Sequence, residues 1–235
     1  MHIAGLQKMT LLDYPGKVAC TVFLSGCNYR CPFCHNGGLL EDAPDALTEE
    51  ALLAFLEKRK GLLDGVCITG GEPTLQPGLE DLIVRIKEMG YLVKLDTNGG
   101  RPEVLKTLVE KGLIDYVAMD IKNSPEKYGI TAGVPGMTLD RVEESIKFLL
   151  AGNVPYEFRT TVADELHEPE DFSAIGRWLQ TLDPHHKAAA FFIQPYVDRE
   201  SVLAAGLHTP PKEKLLAMQE AIANHTCSVK IRGMD

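Results

Sequence analysis

The sequence predicts an α/β fold of parallel strands joined by crossover helices, and three observations carry that prediction. Short, largely apolar runs alternate with helix-period segments six times between Val18 and Ile222, the pattern of strand–helix units that return to one sheet. The runs lack a strict apolar/polar alternation, as strands covered on both faces do. Four helix-period segments stop at a glycine, Gly61, Gly90, Gly112 and Gly152, where a left-handed residue can end a helix. At 235 residues, 45% of them hydrophobic, the chain can bury a full core, and no Pro/Ser-rich or charged linker divides it. One domain spanning 1–235 is expected.

Residues 1–17 lack helical periodicity and carry the turn Asp13-Tyr14-Pro15-Gly16, so a lead-in strand or loop is expected there. Val18 to Leu24 is the first strand. Thr48 before Glu49 and Glu50 reads as an N-cap with acids at the positive end of the helix dipole, and Leu52, Phe55 and Leu56 form the apolar stripe. Val66 to Thr69 is the second strand. Leu79, Leu82, Ile83 and Ile86 mark the next helix, and Leu92 to Asp96 the third strand. Pro102 opens a helix carried by Val104, Leu105, Leu108 and Val109, and Tyr116 to Asp120 follows as strand four.

Segment 123–137 holds three Gly and two Pro without periodicity, and is expected as a loop at the rim of the site. Thr138 reads as the cap of a helix through Val142, Ile146, Leu149 and Leu150. Val154 to Val162 is strand five, Phe172, Ile175 and Leu179 mark a helix, and Ala189 to Gln194 is strand six. Pro210 and Pro211 open the last helix, with Leu215, Leu216 and Ile222 facing inward.

Acidic residues outnumber basic ones, 33 to 24, for a net charge of −9. That balance argues against nonspecific binding to nucleic acid or to an anionic membrane surface, both of which need a basic face. Leu11-Leu12 is too short for the core of a signal peptide, and no apolar run approaches the roughly 20 residues of a membrane helix. A cytoplasmic, reducing setting is expected. It suits the six cysteines, of which Cys20, Cys67 and Cys227 fall in strand-like segments and are expected as small buried hydrophobes.

The other three lie within Cys27-Asn28-Tyr29-Arg30-Cys31-Pro32-Phe33-Cys34, directly after the first strand and Ser25-Gly26. Three thiolates in so short a loop can converge on one metal centre. A Cys3His zinc site with His35 is the bland alternative, but structural zinc sites draw ligands from two separated pairs. Iron-sulfur clusters usually take four Cys ligands, so three leave one iron with an open position for a substrate or cofactor. A simple electron-transfer protein is the rival from another class, and the missing fourth thiol counts against it.

Cys-x3-Cys-x2-Cys, with Phe33 just before the last Cys, resembles the radical S-adenosylmethionine (SAM) superfamily. Asp13-Tyr14-Pro15-Gly16-Lys17, Cys34-His35-Asn36 and Gly70-Gly71-Glu72-Pro73-Thr74 are similar to the activating enzymes of glycyl radical enzymes, especially that of anaerobic ribonucleoside-triphosphate reductase. The resemblance implies a partial (β/α)6 TIM-like barrel, open on one side, with 1–17 as lead-in, 18–224 as barrel and 225–235 as a C-terminal extension. Strand spacing alone does not separate that fold from a doubly wound sheet. It also implies a [4Fe-4S] cluster on Cys27, Cys31 and Cys34 that reductively cleaves SAM, producing a 5′-deoxyadenosyl radical that takes a hydrogen atom from a glycine of a partner enzyme. Flavodoxin or ferredoxin is the implied electron donor. Two alternatives keep the chemistry and change the substrate: pyruvate formate-lyase or another glycyl radical enzyme, or a small molecule, as in 7-carboxy-7-deazaguanine synthase.

In parallel α/β folds the site lies at the carboxyl ends of the strands. There the sequence places the cysteine loop, Gly70-Gly71-Glu72, Asp96-Thr97-Asn98-Gly99 and Asp120-Ile121-Lys122, with Arg159 on strand five and Gln194 ending strand six. Each alone has a local explanation, such as a tight turn, an Asx turn or a solvated ion pair. Together they match what SAM requires: acids, a base, backbone groups and an apolar face. Strand parity puts Lys94 and Asp96 on one face. The resemblance implies that Gly70 and Gly71 let backbone approach the SAM amino group, supported by Glu72. It further implies that Asp96, Asp120 and Lys122 meet SAM's polar groups and that backbone from Phe33 to His35 meets the adenine. Asn36, Asn98, Arg159 and Gln194 complete the expected cofactor-binding set. His35 is not expected to ligate iron, and the remaining histidines, including His167, are expected to be solvated.

Overall fold

The computed structural model describes residues 2–40, 47–198 and 202–234. They form eight strands and seven α-helices, largely in alternation, and strand order follows chain order from β1 to β8. A doubly wound sheet reverses its order at a switch point; this chain does not. The fold class is therefore α/β of the partial (β/α)6, TIM-like kind.

Two compact units are distinguished, 1–28 with 38–97 and 103–118, and 29–37 with 98–102 and 119–235. In the first, β1 (Ile3–Thr10) runs antiparallel to β2 (Ala19–Leu24), with Thr10 opposite Ala19. This is the expected lead-in strand. β2 pairs in parallel with β3 (Gly65–Gly70), and β3 with β4 (Leu92–Thr97). The register sets Thr21 beside Cys67 and Cys67 beside Lys94, and on the opposite parity Val22 beside Ile68 and Ile68 beside Leu95. The second row is entirely excluded from solvent. Helix α1 (Glu49–Glu57) starts at Thr48, whose hydroxyl accepts from Ala51 N–H at 3.2 Å. In α2 (Leu79–Glu88), Leu82, Ile83 and Ile86 are fully buried, each contributing about 1.5–3 kcal/mol. Helix α3 (Pro102–Glu110) and the start of β5 (Tyr116–Asp120) complete this unit.

The second unit holds the end of β5, then α4 (Tyr128–Thr131), α5 (Asp140–Leu150), β6 (Tyr156–Val162), α6 (Pro169–Leu182), β7 (Phe191–Pro195), α7 (Lys212–Ala223) and β8 (Val229–Ile231). β6, β7 and β8 are parallel neighbours, with Arg159 beside Phe192 and Phe192 beside Lys230. The segment expected as a C-terminal extension thus contributes a strand. Among the described residues no helix is long and apolar enough to cross a membrane.

Four sequence expectations need correction or refinement. Segment 123–137 is a loop, as expected, apart from one helical turn, and part of it is packed: Asn123, Tyr128 and Ala132 are fully buried, and Asn123 Nδ2 donates to Thr131 Oγ1 at 2.9 Å and to the Leu166 carbonyl at 3.0 Å. Its single helical turn, α4, is too short to show periodicity. Thr138 does not cap α5; Leu139 holds that position without a side-chain bond, and Asp140 and Glu143 face the dipole instead. In α7, Leu216 is 45% exposed and Met218 is buried, because Leu215, Met218 and Ile222 share the inward stripe and Leu216 lies about 100° off it. Cys227 is exposed, ahead of β8 rather than within it.

Removing the α1 cap by Thr48→Ala is expected to lower unfolding free energy by about 1 kcal/mol, whereas Thr138→Ala should change it by less than about 0.5 kcal/mol. Urea denaturation of the two variants checks this, and equal losses would contradict the assignment of the caps.

Candidate cofactor site

The cysteine segment begins where the ends of β2 and β3 come closest. Gly71 N–H donates to the Leu24 carbonyl at 2.7 Å and Glu72 N–H to the Gly26 carbonyl at 2.8 Å. A Cβ on Gly70, whose φ is +122°, would lie 2.2 Å from the Leu24 oxygen, and one on Gly71 would lie 2.0 Å from the Gly26 oxygen and 3.3 Å from Cys27 N. Only glycine fits at either place. The pair therefore admits the backbone that leads into Cys27. Glu72, 1% exposed, accepts through Oε1 from Thr74 N–H at 3.1 Å, Thr74 Oγ1 at 2.5 Å and Thr97 Oγ1 at 2.8 Å. It ties the end of β3 to the end of β4. From sequence Thr97 is named only as part of the Asp96–Gly99 strand end, with no role of its own; its bond to Glu72 supplies one.

Lys94 and Asp96 share a face as their parity requires, and they form a buried ion pair. The Cys67 sulfur lies 3.7 Å from Lys94 Nζ and 3.8 Å from Asp96 Oδ1, and its thiol donates to the Asp13 carbonyl at 3.6 Å. Asp13 Oδ2 accepts from Thr21 Oγ1 at 2.6 Å. The Asp13–Lys17 motif is thus docked on the polar face of β2 and β3. Cys67 is buried as expected but sits among charges. Cys20 is buried in apolar surroundings, which push its thiol up to about 12.

In the second unit, Cys31 is buried and Cys34 half-buried. Cys34 N–H donates to the Cys31 carbonyl at 3.0 Å, Arg30 N–H to the Ala132 carbonyl at 2.9 Å, and Ala204 N–H to the Pro32 carbonyl at 3.0 Å. Burial raises the Cys34 thiol; the Asn36 backbone N–H and the Lys122 and Arg30 cations oppose that rise. Phe33 is buried with its ring 6.0 Å from that of His167, and the His35 ring is 5.7 Å from that of Tyr196. His167 is not solvated as expected: it is wholly buried, with Nε2 2.9 Å from the Lys122 carbonyl, and burial lowers its pKa.

Asp120 is held between Arg159 Nε and Lys122 Nζ, the latter at 2.8 Å. Burial pushes its carboxyl up, but the two cations outweigh burial and hold it well below the usual carboxylate range. Lys122 is raised correspondingly, Asp120 and Cys31 overcoming the effect of burial. Asn98 Oδ1 accepts from Gly100 N–H at 2.9 Å, an Asx turn, and Gln194 stands beside Thr161 on β7. The six cysteines, all among the described residues, form no disulfide. Among the described residues no three His, Cys, Asp or Glu side chains are already gathered as a metal cage. The donor set nevertheless suits iron: three thiols within eight residues, none of them in a disulfide, with cations beside Cys34 that favour its thiolate.

Comparison with known proteins places this arrangement. The family model of the radical SAM superfamily matches residues 21–172. A protein of Methanocaldococcus jannaschii named as a glycyl-radical enzyme activating enzyme is 34% identical over 188 residues, covering 77% of this chain and 76% of that one. The pyruvate formate-lyase-activating enzyme of Staphylococcus aureus strain USA300 is 32% identical over 209 residues, covering 83% and 80%. Among solved structures, SuiB of Streptococcus suis bound to S-adenosylmethionine superposes with a TM-score of 0.67 at 14% identity, over 91% of this chain and 52% of that one.

Gly71→Ala is expected to destabilise the protein by about 1–3 kcal/mol, the usual cost of overpacking, because the added methyl meets backbone at 2.0 Å. Denaturant unfolding of the cluster-free protein measures it, and an unchanged midpoint would show that β3 does not need this approach.

Proposed function

Since the chain belongs to the radical SAM superfamily, we propose that it is an activating enzyme that installs a glycyl radical on a partner enzyme, anaerobic ribonucleoside-triphosphate reductase. The observation that carries this reading is the three-cysteine segment, Cys27 to Asn36, which starts directly after the Leu24 and Gly26 carbonyls that Gly71 and Glu72 N–H hold, and is preceded by the docked Asp13–Lys17 motif. Proteins of this superfamily use a [4Fe-4S] cluster and SAM, which when bound supply a one-electron cleavage of the sulfonium and a carbon radical able to take a hydrogen atom.

The chain's own residues supply the ligands and the electrostatics. Cys27, Cys31 and Cys34 hold the cluster as thiolates, and Lys122 and Arg30 lower the cost of ionising Cys34. Gly70 and Gly71 present backbone to the amino group of SAM, and Glu72 keeps that turn rigid through three accepted hydrogen bonds. Asp120, kept ionised by Arg159 and Lys122, and Asp96, held by Lys94, orient the polar groups of SAM. Lys122 faces its carboxylate, and the backbone from Phe33 to His35 lies against the adenine. A cytoplasmic flavodoxin or ferredoxin delivers the electron.

The glycine substrate is supported by the motif likeness and by the named relatives.

Two measurements test the reading. After anaerobic reconstitution, Cys27→Ala, Cys31→Ala and Cys34→Ala should each lose the cluster by iron analysis, while Cys20→Ala, Cys67→Ala and Cys227→Ala keep it; full iron in Cys31→Ala would sink the ligand set. Reduced protein mixed with SAM and anaerobic ribonucleotide reductase should give a glycyl radical doublet by electron paramagnetic resonance, lost when the partner's target glycine becomes Ala. SAM cleavage without a protein radical on any glycyl radical enzyme would move the assignment to a small-molecule substrate.

A further inference from the structure

His167 is a buried titratable group with no part in the chemistry assigned so far. It lies in the turn between β6 and α6, wholly excluded from solvent, and both ring nitrogens meet main chain. Nε2 is 2.9 Å from the Lys122 carbonyl, and Ala163 N–H donates to Nδ1 at 3.3 Å. A carbonyl can only accept, so the ring proton is assigned to Nε2. The Ala163 carbonyl, 3.4 Å from Nδ1, is already taken by the Leu166 and His167 N–H groups. Burial lowers the pKa of the ring and favours the neutral form that this pair of bonds requires.

What the ring holds is the chain that carries Lys122. Strand β5 ends at Asp120; beyond it, Ile121 N–H donates to the Arg159 carbonyl at 2.9 Å and the Ile121 carbonyl accepts from Thr160 Oγ1 at 2.7 Å. The Lys122 carbonyl comes next, and His167 holds it. The turn that carries His167 is itself pinned. Asn123 Nδ2 donates to the Leu166 carbonyl at 3.0 Å, and Asp171 accepts from Ser124 Oγ at 3.2 Å, Lys127 Nζ at 2.7 Å and Glu168 N–H at 2.8 Å. The imidazole also packs against the buried Phe33 ring, with centroids 6.0 Å apart. One ring therefore touches both the main chain of Lys122 and the residue before Cys34.

We infer that His167 is a positioning residue for SAM: by holding the Lys122 carbonyl it fixes where the Lys122 ammonium stands relative to the backbone from Phe33 to His35. The inference rests on the assignment of Lys122 and Phe33 to His35 to SAM above, and is independent of the glycine substrate. The physical cause is preorganisation. A lysine side chain is long and flexible, so its charge is placed accurately only if it is held at both ends. Asp120 Oδ2 holds Nζ at 2.8 Å, and His167 holds the main chain at the root. Without the second anchor, the ordering of Lys122 would have to come out of the binding energy of SAM.

The test is calorimetric SAM affinity, with iron analysis, of the anaerobically reconstituted protein and its His167→Phe, His167→Gln and Lys122→Met variants. His167→Phe keeps a ring against Phe33 but has no donor for Lys122, so it should bind full iron and bind SAM about tenfold more weakly, the scale of one hydrogen bond. His167→Gln, whose Nε2 can again donate to the Lys122 carbonyl, should recover most of that loss. A merely structural histidine would lower the unfolding midpoint of His167→Phe and leave its SAM affinity at the parent value, which would overturn the inference. Equal weakening in His167→Phe and His167→Gln would overturn it too, as would loss of iron in His167→Phe, which would assign the ring to the cysteine segment. Affinity kept in His167→Phe but lost in Lys122→Met sinks this inference alone; affinity kept in both means that Lys122 does not meet SAM, and the inference falls with that reading. Nitrogen-15 NMR of the cluster-free parent, which depends on no variant, should show the His167 proton on Nε2, and a proton on Nδ1 would overturn the inference.

Discussion

The constraint on which the rest depends is the contact of β3's end with the backbone that begins the cysteine segment. Two successive residues must have no side chain, since a methyl at either would lie within 2.2 Å of a main-chain oxygen. Given that, Gly71 and Glu72 can donate to Leu24 and Gly26, and the direction in which Cys27 leaves β2 is fixed by hydrogen bonds rather than by side-chain packing. Glu72 carries the constraint onward to β4 through Thr97. A carboxylate with 1% exposure and three donors on one oxygen is a rigid joint, because breaking any of those bonds leaves a buried charge under-satisfied.

Charge is arranged by the same logic on the polar face of each unit. Lys94 is almost entirely excluded from water, a cost tolerated only with a counterion beside it, and Asp96 provides one two residues along the strand. Asp120 answers two cations, Lys122 from its own strand end and Arg159 from β6. Buried pairs of this kind contribute little net stability, since desolvation offsets most of the attraction. What they do contribute is orientation: each carboxylate is pinned on one side by its cation before any ligand arrives.

Much of this was legible in the sequence, for reasons that can be stated. Strand parity alone put Lys94 and Asp96 together, because a period of two leaves no alternative. The glycine-terminated, capped helices were readable because caps and stops are local. Thr48 illustrates this, and Thr138 shows the limit: a Thr before a helix-period run is a cap only if its hydroxyl meets the first turn, and Leu139 occupies that place instead. Segment 123–137 was read as a loop and most of it is one, but its partial burial was not legible, because Gly and Pro report turns, not burial, and the bonds that pack it, Asn123 to Leu166 and Tyr128 to Asp120, come from residues near and far alike. His167 was misread for the same reason, since nothing local to it reveals the Lys122 carbonyl, 45 residues away.

The acidity of the whole chain and the character of its cysteine segment then stand in useful opposition. A net charge of −9 would by itself disfavour three more negative charges on neighbouring thiolates. At Cys34 cations outnumber carboxylates: Lys122 and Arg30 favour the thiolate, and Asp120, itself paired with Arg159, opposes it. Burial still raises Cys34, so the cations do not make it a thiolate unaided. They narrow the gap that a metal must close when it takes a thiolate ligand and releases the proton. Lys122 also pairs with Asp120, so the Cys34 thiol and that carboxylate draw on one cation. Any change to Lys122 should therefore be felt on both, a coupling that follows from where the charges are placed.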